Sequence, residues 1–462
     1  MGKIMTRRLP VILLLITSCV PNQPFSRVAV GLLHTPSNQL SLSELTQYEI
    51  AYCWIPAEQP LNDPNDKEVD IVLSRADGSS SHVISTEDLK LYQSPFISTK
   101  QEGHPEGYDL GCFSEEGFDI RYSSNELFWR PHSDELALIA GINPEAADFR
   151  MFTISEDMAF IEKDMPSPSD YATLFRWPRG IFWSSNGDRF ALLGLDSMLQ
   201  SSGNNIWIYD LEEKGFRRIT NFVKTGNDVA TASWSNDGSK LAIGYGGPES
   251  GLGIAEYGGS QSYKEISSGT NSNFLSEWHY WAISSWVNFI RAITQEDSIE
   301  IFNSELVFNS TPVWVNNSKN IIFTAANKEG KAALFVVNAD GTDLRELLPG
   351  LPGIALMPRI SPDGKTLAFV RFPDWNDRSR VEVATLDIPS MKVQSLAVFL
   401  QLSDESILFI SGMDWSPDGK YLAFSAPYQE ESDIFIITKD GTAWFNLTED
   451  RDGDAVSPAW KP

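Results

Sequence analysis

The residues of this chain most suited to chemistry are the carboxylates of Asp450-Arg451-Asp452-Gly453-Asp454. Oxygen ligands at alternating positions suit calcium, but the downstream Glu that completes an EF-hand loop is missing. Asp450, Asp452 and Asp454 are therefore an incomplete calcium candidate, and no other metal or cofactor is expected. The acidic run Asp63-Pro64-Asn65-Asp66-Lys67-Glu68 reads as a solvated loop. A second kind of chemistry, ligand contact through large amphipathic rings, is offered by Trp278, His279, Tyr280, Trp281 and Trp286. Such rings give contact area at little entropic cost, and they also fill internal gaps; exposed Trp278 or Tyr280 is the best single contact. No Gly-x-Ser-x-Gly elbow, His-Glu-x-x-His helix or Gly-x-x-x-x-Gly-Lys-Ser/Thr loop occurs. Gly244-Tyr245-Gly246-Gly247-Pro248 follows a strand pattern without the spacing of a nucleotide site. With 5 histidines and no Cys-x-x-Cys, a zinc site has no ligands to draw on.

The elements that must position these residues are announced by one repeated phrase. It reads Asp414-Trp415-Ser416-Pro417-Asp418-Gly419-Lys420-Tyr421-Leu422-Ala423-Phe424, and again Ile360-Ser361-Pro362-Asp363-Gly364-Lys365-Thr366-Leu367-Ala368-Phe369. Looser copies begin at Trp129, Trp183, Trp234 and Trp314. Pro pre-sets φ for the first turn position, Asp bonds back to nearby backbone, and Gly takes the positive φ that closes the reversal. The apolar run after each turn suits a strand buried on both faces. A second hairpin usually follows, as in Ala333 to Val337 turning through Ala339-Asp340-Gly341-Thr342 to Leu344-Leu347. Four strands per unit, with markers at Trp129, Trp183, Trp234, Trp314, Ile360, Trp415 and Trp460 mostly about 45–55 residues apart, predict an all-β propeller.

Between Trp234 and Trp314 the gap widens, and Trp281 followed by Val287–Ile293 and Ile299–Phe302 reads as a degenerate blade without its turn. The chain then ends on Val456-Ser457-Pro458-Ala459-Trp460, a first strand without a second, while Tyr48–Trp54 near the start is a second strand without a first. Pairing the two closes the ring and removes an exposed edge. The count is eight four-stranded blades, with seven the alternative. Residues 1–18 read as a signal peptide, 19–45 as a tether and 46–462 as a single propeller with an insertion around 92–125.

The phrase Trp-Ser-Pro-Asp-Gly-Lys-x-Leu-Ala-Phe resembles the TolB-like propeller family, relatives of WD-repeat proteins, from about Glu126 to the C-terminus. Two further loops are similar to that family's pattern: Ile219-Thr220 through Asp228 to Trp234, and Leu447-Thr448 through Asp454 to Trp460. The resemblance implies that Asp228 and Asp454 cap the connection between successive blades, a structural task. The fold is shared by proteins of the Tol assemblies and by peptidases, so it implies no single function.

Lys3, Arg7 and Arg8 precede the apolar run Leu9–Ile16, too short to span a membrane. Ile16-Thr17-Ser18-Cys19 resembles a bacterial lipobox, which implies cleavage before Cys19 and its lipidation; an ordinary secretory signal is the alternative. Cys53 and Cys112 then remain as an even pair that an oxidising compartment could bond, or as buried thiols. The balance of 36 basic against 62 acidic residues, −26 overall, repels nucleic acid and anionic lipid. The expectation is a lipid-anchored, extracytoplasmic propeller, periplasmic or at the cell surface. It binds a protein or other macromolecular ligand of the envelope without chemistry and touches the membrane only through its lipid. The alternative is a glycan hydrolase or lyase using carboxylates of the central channel.

Overall fold

The computed structural model describes residues 30–34, 38–56, 70–84, 127–140, 148–155, 160–163, 165, 175–196, 204–220, 228–246, 251–256, 311–315, 317–326, 332–374, 380–401, 410–428 and 431–462. They form seven sheets. The first, or closing, blade pairs the C-terminal strand Gly453–Trp460 with Glu49–Pro56, followed by Asp70–Arg75 and Ser81–Ile84. Its register sets Trp460 opposite Ile50 and Val456 opposite Cys53. The two ends of the chain thus complete one blade, as the unpaired half-repeats predict.

Blade two is Leu127–Trp129, Glu135–Ala140, Asp148–Ile154 and Phe160–Glu162; blade three is Phe175–Trp183, Arg189–Asp196, Asn204–Asp210 and Gly215–Arg218. Blade four has three described strands, Asp228–Trp234, Lys240–Gly246 and Gly251–Glu256. Blade five is Val313–Val315, Asn320–Ala326, Ala332–Asn338 and Arg345–Glu346. Blade six runs Ile354–Ile360, Thr366–Phe372, Arg380–Asp387 and Lys392–Gln401, and blade seven Ser411–Trp415, Tyr421–Tyr428, Glu431–Thr438 and Ala443–Asn446.

Seven blades, the alternative count, replace the expected eight. The indole Nε1 of Trp314 in blade five donates to the carbonyl of Ser233 in blade four at 2.9 Å. Ala242 and Ile254 of blade four share one apolar cluster with Trp314, Ile321 and Val337 of blade five. The two blades are direct neighbours, with no room for a sheet between them. The degenerate blade read around Trp281 lies outside the described residues.

Each Ser-Pro-Asp-Gly phrase spends its polar atoms on its own turn. Ser416 Oγ donates to Asp418 Oδ1 at 2.9 Å and accepts the Tyr421 N–H at 3.0 Å, while the Lys420 N–H reaches the same carboxylate oxygen. The Ser361–Asp363 and Ser235–Asp237 turns repeat this network. The carboxyl groups of Asp363 and Asp237 are accordingly held below the ordinary range, first by the serine hydroxyl.

The stretch read as a tether contributes to the sheets. Val30–His34 pairs antiparallel with the outermost strand of blade six, and Asn38–Gln39 runs parallel to the outermost strand of blade seven. The short helix Leu42–Leu45 follows and buries Leu45 completely beside Ile50, Tyr421 and Trp460. The entering chain therefore covers two outer sheet edges that would otherwise invite pairing with other chains. The insertion expected around 92–125 falls outside the described residues. Among the described residues no helix is long and apolar enough to cross a membrane.

Candidate functional site

The innermost strand of each blade ends on its marker residue or, in blade five, one residue beyond it, and six of the seven markers are tryptophans. A buried indole N–H needs an acceptor, and every marker indole finds the same one: the backbone carbonyl of the residue preceding the marker of the blade before. Trp129 reaches Ala459, Trp183 reaches Phe128, Trp234 reaches Phe182 and Trp314 reaches Ser233. Trp415 reaches Arg359 and Trp460 reaches Asp414, all six bonds lying between 2.9 and 3.1 Å. Ile360 has no indole N–H to give, so the junction between blades five and six alone lacks this bond.

The residue before the marker is thus an architectural position. It is apolar or small in five blades, being Ala459, Phe128, Phe182, Ser233 and Val313. In blades six and seven it is Arg359 and Asp414, opposite charges on adjacent inner strands. Bulges re-aim these strands three residues earlier. Met357 takes φ 55°, Gly412 φ 74° and Ser457 φ 54° on blades six, seven and one. A Cβ on Gly412 would lie 3.0 Å from the Ser457 Cα, so only glycine lets the closing strand approach there.

Asp414 is the clasp of the ring. Its Oδ2 accepts the Trp460 backbone N–H at 2.8 Å, its Oδ1 accepts the Trp415 N–H at 3.0 Å, and its own carbonyl takes the Trp460 indole. Burial raises its carboxyl to about 7, against the pull of the Trp460 N–H and the Arg359 charge. Burial likewise lowers the Arg359 guanidinium to about 10, with Asp414 opposing. Arg359 donates from Nη1 to the Pro358 carbonyl at 3.0 Å. Chemically this is one carboxyl that titrates near neutrality beside one permanent cation. A hydrolytic pair of carboxylates is a different arrangement.

Among the described residues two other carboxyls are raised, both by burial first, and both belong to the scaffold. Asp433 accepts from Asn446 Nδ2 and Thr448 Oγ1 at 2.8 Å each, and Glu431 accepts the Gly453 N–H. Around the closing blade, Tyr48 donates to Asp418 at 2.7 Å and Tyr421 to Glu44 at 2.9 Å, and the Tyr48 ring meets Tyr421 and Trp460 edge-on. Burial pushes Asp418 up, but the Lys420 and Tyr48 hydrogen bonds outweigh it and leave the carboxyl at about 2.

No family model matches the chain. A protein TolB homolog of Chlorobaculum tepidum is 30% identical over 129 residues, 28% of this chain and 26% of that protein. A protein TolB homolog of Chlorobium luteolum is 29% identical over 149 residues, 31% of this chain and 29% of its own length. The matched segments span less than a third of either relative.

The chain is a β-propeller, and part of it is similar to TolB homologs. Among solved structures, TolB from Acinetobacter baumannii aligns with 90% of this chain and 67% of its own, at 14% identity and a TM-score of 0.45. The β-propeller domain of the Trilobed protease from Pyrococcus furiosus aligns over 93% and 98%, at 12% identity and a TM-score of 0.49.

In this propeller the residues singled out from the sequence are dispersed. Asp454 Oδ1 accepts the Ser432 N–H of blade seven at 2.8 Å, an inter-blade cap. Asp450 and Asp452 lie exposed in the connection before it, and among the described residues no cluster of three His, Cys, Asp or Glu is placed to hold a metal ion. Arg451 between them turns to other work. It stacks over Tyr52 at 5.8 Å and Trp54 at 5.2 Å and donates to Ser81 Oγ. Cys53 is wholly buried and disulfide-bonded. Cys19, Cys112, Trp278, Tyr280, Trp281 and Trp286 lie outside the described residues. Arg359 and Asp414 are the residues that sequence reasoning missed. The signal was available: they are the two charged residues at a position otherwise apolar or small.

Proposed function

We propose that this TolB-like propeller is a non-catalytic binding protein of the cell envelope, held at a membrane by a lipid on Cys19 and engaging a protein partner. The observation that carries the reading is where the carboxylates go. The Asp residues of the repeated turns cap their own hairpins, Asp454 caps the preceding blade, and Asp433 and Glu431 hold loops. Asp414, the one raised to about 7, faces Arg359 as its charged neighbour. A hydrolase or lyase of glycans would need a second carboxyl there to share acid and base roles. The kinship to TolB homologs supports an envelope protein, and the −26 charge supports a partner that is neutral or cationic rather than a nucleic acid.

Affinity capture with the mature protein from its native envelope tests this. A stoichiometric protein partner is expected; capture of none, together with release of sugar fragments from envelope glycans, would replace the reading with the hydrolytic one. Cys112 is the partner proposed for Cys53, and disulfide-linked peptides from a non-reducing digest would identify it.

A further inference from the structure

We infer that the propeller is presented to the membrane by the rim of blades six and seven, with blades two and three held away from the bilayer. The inference rests on the lipid at Cys19. Val30–His34 is hydrogen-bonded along the outermost strand of blade six, from Val30 opposite Gln401 to His34 opposite Val398. The chain continues along the rim of blade seven at Asn38–Gln39 and enters the closing blade at Glu49. The membrane-proximal end of the protein is therefore fastened to one sector of the ring before the ring begins.

Only the residues between Cys19 and Val30 separate the lipid from that sector. Fully extended they reach at most about 40 Å, and as a flexible coil roughly 20 Å. A compact domain of this length is about 55 Å across, so the tether is shorter than the ring it carries. Blades two and three stand opposite blade six in the cyclic order. Among the described residues nothing competes with the tether by holding a flat apolar face to lipid. The large apolar side chains exposed among the described residues are Leu42, Val83, Ile161 and Met391, scattered singly. The net charge of −26 opposes contact with anionic headgroups.

The test uses lipidated full-length protein on zwitterionic vesicles carrying acceptor-labelled headgroups. A donor fluorophore is placed on Lys392→Cys or on Glu212→Cys, exposed positions at equivalent hairpins of blades six and three. Energy transfer is expected to be several-fold higher from blade six. Insertion of about 30 Gly/Ser residues between Cys19 and Val30 should shrink the difference, because the coil span rises from roughly 20 Å to roughly 35 Å. Equal transfer from both sites with the native tether would overturn the orientation and leave the anchor standing. If Cys19→Ser stays on vesicles as well as the parent, the anchor itself is wrong and the orientation falls with it.

Discussion

Replacing Asp414 by Asn should flatten the dependence of stability on pH. The carboxyl is raised from its ordinary 3.8 to about 7 in the folded protein, chiefly by burial. A raised acid binds its proton more tightly folded than unfolded. Its contribution is therefore fully present below pH 3.8 and is lost as pH rises through 7. Three pH units at 1.36 kcal/mol each make about 4 kcal/mol in all, of which more than half falls between pH 5 and 8. Arg359, at about 10, stays charged across that window and adds no slope. The assay is urea unfolding of parent and Asp414→Asn at pH 5, 6, 7 and 8, with the difference curve isolating this one group from Asp433 and Glu431. Asn keeps one acceptor for the Trp415 or Trp460 N–H and sets its amino group against the other, a cost that does not change with pH. The variant's absolute stability is thus secondary to its slope. Parallel curves for parent and variant would refute the reasoning, because they would mean that Asp414 is ionised in the folded protein as readily as in the unfolded chain.

Four further outcomes follow from the same contacts. Trp460→Phe removes the 3.1 Å bond to the Asp414 carbonyl and should cost about 1 kcal/mol or more in chemical denaturation, with earlier hydrogen exchange in strand Glu49–Pro56. Ser416→Ala strands the Tyr421 N–H and the Asp418 cap, and about 1–3 kcal/mol should appear as a lower urea midpoint. Leu45→Ala opens a cavity at a side chain with no exposure and should cost about 2–5 kcal/mol by the same assay, peeling the N-terminal strands first in limited proteolysis. Gly412→Ala forces a Cβ against the closing strand at φ 74°, so its melting temperature should fall while Gly350→Ala, with open space around it, loses less.

Much of the architecture was readable because turn chemistry is local. Ser, Pro, Asp and Gly each act on backbone within a few residues, so Asp414–Phe424 announces its hairpin without knowledge of any neighbour. The unmatched half-repeats at Trp460 and Ile50 likewise foretold their pairing, since an open strand must find a partner. The blade count was less legible. A run such as Val287–Ile293 satisfies strand periodicity whether or not it joins the ring, and only the Trp314 indole on Ser233 shows which blades touch. The N-terminal strands at Val30 and Asn38 were read as tether because two to five residues of edge pairing leave no period to detect.

The site follows the same division. The sequence by itself determined a ring of hairpins, its closure and the structural duty of the repeat's aspartates, all consequences of short-range hydrogen bonding and of unpaired edges. What only the tertiary structure decided is that Arg359 and Asp414, 55 positions apart in the chain, come within electrostatic reach of each other on adjacent inner strands and that the carboxyl clasps Trp460. Charge and burial interact through space, at separations that a one-dimensional pattern does not record.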